Sequence, residues 1–203
     1  MRKPRRQALK SEKLRALQKV VVLIDICSFS EMEIEKQIAS VLDLQKVCLD
    51  LMKKHGLSFS ERIPIGDGFI FGMNGQHSVE ALNFCISLQK KILMGFRKAR
   101  YQIRCAINYG NVFEYTDING NANIIGDAVN VCARIAAKSN PGSIILRDTH
   151  YNILSEIDHR LSQKVRKYGV VNGKHSDEAY TVYYYVDEIQ AIGNRIPYGR
   201  RTK

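Results

Sequence analysis

No apolar run in these 203 residues approaches the ~20 that a membrane span needs. The longest, Val20 to Ile24, stops at Asp25. The basic start is followed by Ala8 to Ala16, a stretch broken by Lys10, Glu12, Lys13 and Arg15, so no secretory leader is expected and the chain is expected to be cytoplasmic. No CxxC pair joins any of the five cysteines (Cys27, Cys48, Cys85, Cys105 and Cys132), and the five histidines are equally scattered. That excludes a clustered zinc site and a disulfide framework, and predicts reduced thiols in the core. Internal repeats and interior linkers are also missing, which leaves one globular domain. At 45% hydrophobic and 25% charged, the composition excludes a disordered or collagen-like chain.

The interior also lacks net charge, although the formal total is +11 from 31 basic and 20 acidic residues. Arg2, Lys3, Arg5, Arg6, Lys10, Lys13, Arg15 and Lys19 face only Glu12 at one end, and Arg195, Arg200, Arg201 and Lys203 face no acid at the other. Setting those twelve basic groups and one acid aside leaves nineteen of each sign in residues 20–194. The expected division is therefore a basic extension over 1–18, a neutral domain over 19–188 and a basic tail over 189–203. Such ends are read first as solvated polar segments, so no stable nucleic-acid or membrane partner is expected of them.

What is present is a regular alternation of elements. Lys19 to Cys27 is a β-branched run that predicts a strand buried on both faces. From Ser30, a candidate N-cap with Glu33 three residues on, Ile34, Ile38, Val41, Leu42, Leu44, Val47, Cys48, Leu51 and Met52 recur at helical spacing until Gly56. Leu57 to Ile65 and Phe69 to Met73 read as strands joined by the turn Gly66-Asp67-Gly68, and Gln76 to Lys98 as a second helix. Tyr101 to Tyr109 and Asn111 to Thr116 read as strands around Gly110, followed by a polar loop over Asp117 to Asn123. A helix over Asp127 to Lys138, a strand over Ser143 to Leu146, a helix over Asp148 to Ile157, and strands over Lys167 to Val171 and Tyr180 to Val186 complete the chain. This order predicts an α+β fold, a ferredoxin-like split βαβ sheet with helices on one face and added C-terminal elements.

In that topology the first strand lies antiparallel to the third, so Asp25 and Asp67 fall together at one strand end. Two facing carboxylates call for positive charge between them, and hard divalent cations with oxygen ligands are the usual answer. A single Asp in a Gly-Asp-Gly turn is, taken alone, simply a turn former. Ile26 to Ser30 lead into a helix N-terminus, whose amides favour phosphate oxygens. Asn130 and Arg134 stand four apart on one helix face and offer an amide and a guanidinium to the same object.

Four blocks together resemble the class III nucleotidyl cyclase catalytic domain over about residues 20–186. They are Val21-Val-Leu-Ile-Asp25-Ile-Cys-Ser-Phe29-Ser, Ile65-Gly-Asp67-Gly-Phe, Ile103-Arg-Cys-Ala-Ile-Asn-Tyr-Gly110, and Ile125-Gly-Asp-Ala-Val-Asn130-Val-Cys-Ala-Arg134. The resemblance implies two divalent cations, Mn2+ or Mg2+, held by Asp25, Asp67 and the Ile26 carbonyl. It implies β- and γ-phosphates on the backbone of Cys27, Ser28, Phe29 and Ser30, with Lys174 as a further triphosphate contact. Asn130 would orient the ribose and Arg134 would stabilise charge on the α-phosphate. Both would come from the opposite subunit of a homodimer with shared sites.

The chain departs from the family at its base readers. Ile63 stands where purine cyclases carry Lys or Glu, and Asn123 where they carry Asp or Cys. An apolar Ile cannot hydrogen-bond a purine edge, and each polar group left unpaired in a closed pocket costs ~1 to 3 kcal/mol. The expectation is a pyrimidine cyclase that makes cyclic UMP or cyclic CMP, similar to the stand-alone bacterial enzymes of Pycsar antiphage defence, whose product activates a separate effector. Two other readings are an adenylate or guanylate cyclase with atypical base readers, and a catalytically idle nucleotide sensor with basic tails.

Overall fold

The computed structural model of the chain describes residues 16–99, 101–173 and 179–186. Strand β1 (Leu17–Ile26) is followed by a single 3-10 turn and helix α1 (Ile34–His55). Strands β2 (Glu61–Pro64) and β3 (Gly68–Asn74) lead to α2 (Ser78–Ala99), β4 (Ile103–Thr116), β5 (Ala122–Ile125) and α3 (Asp127–Ala137). Then come β6 (Ile144–Arg147), α4 (Asp148–Ile157), α5 (His159–Ser162), β7 (Val165–Asn172) and β8 (Ala179–Tyr185). The eight-stranded sheet has the order β2-β3-β1-β4-β6-β8-β7, with β5 folded back on the second half of β4. Among the described residues, only the pairing of β4 with β6 is parallel. This is the expected α+β class.

The apolar run of β1 explains the layers. Val20, Val22, Ile24 and Ile26 point to one core, which α1, α2 and α4 cover with Leu44, Cys48, Leu51, Leu82, Leu88 and Leu154. Val21 and Leu23 point to a second core, closed by Val131, Cys132 and Ile135 of α3. A strand buried on both faces needs a cover on each, so α3 takes the face opposite the other helices. The expected one-sided arrangement therefore fails at α3, while α1, α2, α4 and, through Leu161, α5 share the first face. All five cysteines are free and buried.

Several local expectations change. Ser30 does not cap α1: Phe29–Glu31 form the 3-10 turn after Ser28 takes a left-handed φ of 53°, and the helix starts beyond Glu33. The apolar set of α1 splits into two stripes, because one helix face can meet one sheet. Leu44, Cys48, Leu51 and Met52 are buried, whereas Ile34, Ile38 and Leu42 remain 65%, 55% and 61% exposed. Gly110 does not divide two strands, since β4 runs through it with paired neighbours on β1. The polar loop ends at Asn121: Asp117 Oδ1 accepts the Asn119 and Asn121 amides at 2.8 and 2.9 Å, a tight turn that lets Ala122 and Asn123 pair with Thr116 and Tyr115. Helix α5 was not foreseen; Asp158 caps it by accepting the Leu161 amide at 2.9 Å.

Candidate active site

The end of β1 gathers Asp25, Asp67 and Arg104. Asp25 pairs in register with Gly68 on β3 and Arg104 on β4. A Cβ on Gly68 would stand 1.9 Å from the Ile24 carbonyl oxygen, so only glycine lets the β2–β3 turn close against β1 here. The turn is fixed by the Ile26 amide donating to the Asp67 carbonyl and the Ile65 amide to the Gly68 carbonyl, both at 3.0 Å. Asp25 and Asp67 are thereby brought together.

Asp25 is 8% exposed, and Arg104 Nε donates to its Oδ2 at 2.5 Å. Burial raises the pKa of the Asp25 carboxyl; Arg104 opposes the rise, and the neighbouring Asp67 adds to it. Two neighbouring carboxylates with one guanidinium, bound to Asp25 from the β4 side, leave negative charge in excess at a partly dry strand end. Their oxygens are the donors hard divalent cations prefer, so the residues fit such ions. Cys27 follows, its amide bonded to the Gln102 carbonyl at 2.9 Å. Burial pushes its thiol up to about 11, which keeps it neutral and unreactive. Beyond it, the amides of Ser28, Phe29 and Ser30 donate to no other group among the described residues.

Ile63 and Asn123 lie on neighbouring strands, because β2 and β5 pack against each other. Ile63 pairs with Ile70 and its half-buried side chain joins the second core. Asn123 pairs with Tyr115, and its Oδ1 accepts the Ile124 amide at 2.7 Å. On α3, Asn130 is exposed and Arg134 half-buried. Arg134 is not brought to Asp25. Its Nη1 donates to Tyr180 Oη at 3.2 Å on β8, three strands from β1 and so roughly 14 Å across the sheet. Lys174 lies outside the described residues.

Three features escaped the sequence reading. Arg104 was visible only as a lone cation in an apolar strand, and its role depends on register. Tyr180 lies in β8, far along the chain from α3. Lys19, counted with the basic end, is instead buried at the start of β1, with its Nζ 2.5 Å from both Glu61 Oε1 and Glu114 Oε1. Burial works to lower the Lys19 pKa, but Glu114 and Glu61 hold it above the ordinary value. Among the described residues, no helix is long and apolar enough to cross a membrane.

A sequence profile described as the adenylate and guanylate cyclase catalytic domain matches residues 14–184. The chain belongs to this family. The fold is also that of solved cyclase domains. The adenylyl cyclase CyaB from P. aeruginosa is 20% identical with a TM-score of 0.71, covering 86% of this chain and 97% of its own. The guanylate cyclase domain of RhGC from Catenaria anguillulae, solved in complex with GTP, is 21% identical with a TM-score of 0.69, covering 85% and 98%. A dimeric guanylyl cyclase domain of the RhoGC fusion protein from Blastocladiella emersonii is 20% identical with a TM-score of 0.64, covering 85% and 98%. A search of curated proteins finds no match.

Proposed function

We propose that this nucleotidyl cyclase domain converts a pyrimidine nucleoside triphosphate, UTP or CTP, into its 3′,5′-cyclic monophosphate and pyrophosphate. The ribose 3′-oxygen attacks the α-phosphorus, the bond from that phosphorus to the bridging oxygen breaks, and the 3′-hydroxyl proton passes to solvent. Asp25, Asp67 and the Ile26 carbonyl would hold two divalent cations, which when bound acidify the 3′-hydroxyl and offset charge on the leaving pyrophosphate. The amides of Ser28 to Ser30 and the Arg104 guanidinium face phosphate oxygens, with Lys174 as a further contact. Asn130 orients the ribose, and Arg134 meets charge developing on the α-phosphate.

The position of Arg134, turned toward β8 and away from the carboxylates of its own chain, supports a homodimer in which each site takes Asp25 and Asp67 from one subunit and Asn130 and Arg134 from the other. The base assignment is carried by one observation: Ile63 places an apolar side chain on β2 beside β5, where a purine edge would find no partner, while Asn123 offers both a donor and an acceptor. The product would serve as a messenger for a separate cyclic-nucleotide-activated effector in antiviral defence.

A purine substrate is the second reading, favoured by a structural neighbour bound to GTP and another bound to ATPαS. The deciding assay incubates the purified chain with ATP, GTP, CTP or UTP, with manganese and separately with magnesium, and resolves products against cyclic standards. Cyclic UMP or cyclic CMP is expected. Cyclic AMP or GMP would keep the reaction and overturn the base argument. Binding with no turnover of any nucleotide would make the domain a nucleotide sensor.

A further inference from the structure

We propose that Tyr180 is a positioning residue that sets the Arg134 guanidinium for the α-phosphate, an assignment that rests on the proposed role of Arg134. Tyr180 is 6% exposed on β8, two residues before the fully buried Val182, and pairs in register with Val171. Its backbone is therefore fixed by the sheet and its ring by the second core. Its hydroxyl oxygen accepts Arg134 Nη1 at 3.2 Å. The Arg147 guanidinium sits over the Tyr180 ring, 4.6 Å from its centroid, a cation–π contact. Arg147 in turn forms ion pairs without hydrogen-bond geometry to Asp127, 3.9 Å from its Nη1 to Oδ2, and to Asp148, 3.3 Å from its Nε to Oδ1.

Asp127 opens α3 and Arg134 stands two turns further along it. The chain Asp127, Arg147, Tyr180, Arg134 thus ties both ends of that stretch of helix to β6 and β8. A long guanidinium side chain has many rotamers, and one already held near its working place costs less to order in the transition state. Tyr180 touches no substrate in this account; it acts through Arg134. The phenol is specific to that task, because phenylalanine would keep the ring beneath Arg147 and the packing against Val171.

The test is Tyr180→Phe in the full chain, measured as pyrophosphate release with manganese from whichever of ATP, GTP, CTP and UTP the unaltered protein turns over fastest. One lost hydrogen bond to a charged group predicts kcat lowered by about tenfold, with KM within about twofold. Adding Tyr180→Phe to Arg134→Ala should change nothing further. Mixing Tyr180→Phe with Asp67→Ala should restore activity, since one shared site then combines intact carboxylates with an intact Arg134 and Tyr180. Mixing it with Arg134→Ala should not. A merely structural role predicts the opposite pattern: an altered KM and no recovery on mixing with Asp67→Ala.

Full kcat in Tyr180→Phe beside an inactive Arg134→Ala overturns the positioning role alone. An active Arg134→Ala overturns the role proposed for Arg134 first, and the Tyr180 assignment falls with it. The same holds if the unaltered chain releases no pyrophosphate from any of the four nucleotides.

Discussion

His150, in the first turn of α4, has no exposed surface, and neither ring nitrogen has a hydrogen-bond partner among the described residues. Burial pushes its pKa down to about 3 from the ordinary 6.5; the Ser78 backbone lies near enough to oppose the shift, though not in hydrogen-bonding geometry. The unfolded chain therefore binds a proton near pH 6.5 that the folded chain refuses until about pH 3. Stability is fully present above the unfolded value and is lost as pH falls through the interval. At pH 5 the unfolded imidazole is almost wholly protonated, and one such proton carried from 6.5 to 5 is worth about 2 kcal/mol. His150→Leu keeps most of the volume and removes the proton site. Urea unfolding at pH 8 and pH 5 would be compared for both proteins. The unaltered chain should lose about 2 kcal/mol more between the two conditions than the variant does. Equal losses would refute the view that His150 is held neutral by its burial.

Other perturbations follow from the same geometry. Asp25→Ala and Asp67→Ala should each abolish cyclic-nucleotide formation while leaving the circular dichroism spectrum unchanged; turnover in either would remove it from the proposed metal site. Arg134→Ala should be inactive alone, but equal mixing with Asp67→Ala should recover about a quarter of full activity, because half the dimers are mixed and each has one working site. No recovery would argue for sites within one chain. Gly68→Ala drives a Cβ into the Ile24 carbonyl at 1.9 Å, so it should part β1 from β3. The expected cost is about 1 to 3 kcal/mol, with loss of activity, and an unchanged melting temperature would contradict it. Lys19→Met leaves buried Glu61 without its cation and should cost about 3 to 5 kcal/mol in denaturant unfolding, with much of the loss returned by adding Glu61→Gln.

The legible parts of the fold were those written in local periodicity. The β-branched run of β1, the helical spacing in α1 and α2, and the glycine-flanked turn at Asp67 each sit close to their predicted bounds. The meeting of Asp25 with Asp67 was legible too, because antiparallel pairing of the first and third strands leaves no other place for them. What was not legible depended on register or on distant partners. Arg104 became meaningful only once β4 was aligned residue by residue with β1. The β5 strand was hidden because Ala122 and Asn123 have low strand preference, and the turn made by Asp117 is what starts their pairing. Ser30 carried the right residue type for a cap, but the left-handed backbone at Ser28 sent the chain into a different turn. Ile34, Ile38 and Leu42 fitted a helix without revealing which of two stripes would meet the sheet.

The turn of Arg134 toward β8 has a consequence for how much of this protein a cell must contain. Under the proposed sharing, a lone subunit carries the carboxylates and the arginine of a site but cannot join them, so specific activity falls on dilution and rises steeply as subunits meet. Output would then follow something nearer the square of the protein's abundance than the abundance itself. A chain kept scarce would be silent without any inhibitor, and a modest rise in its synthesis would act as a threshold.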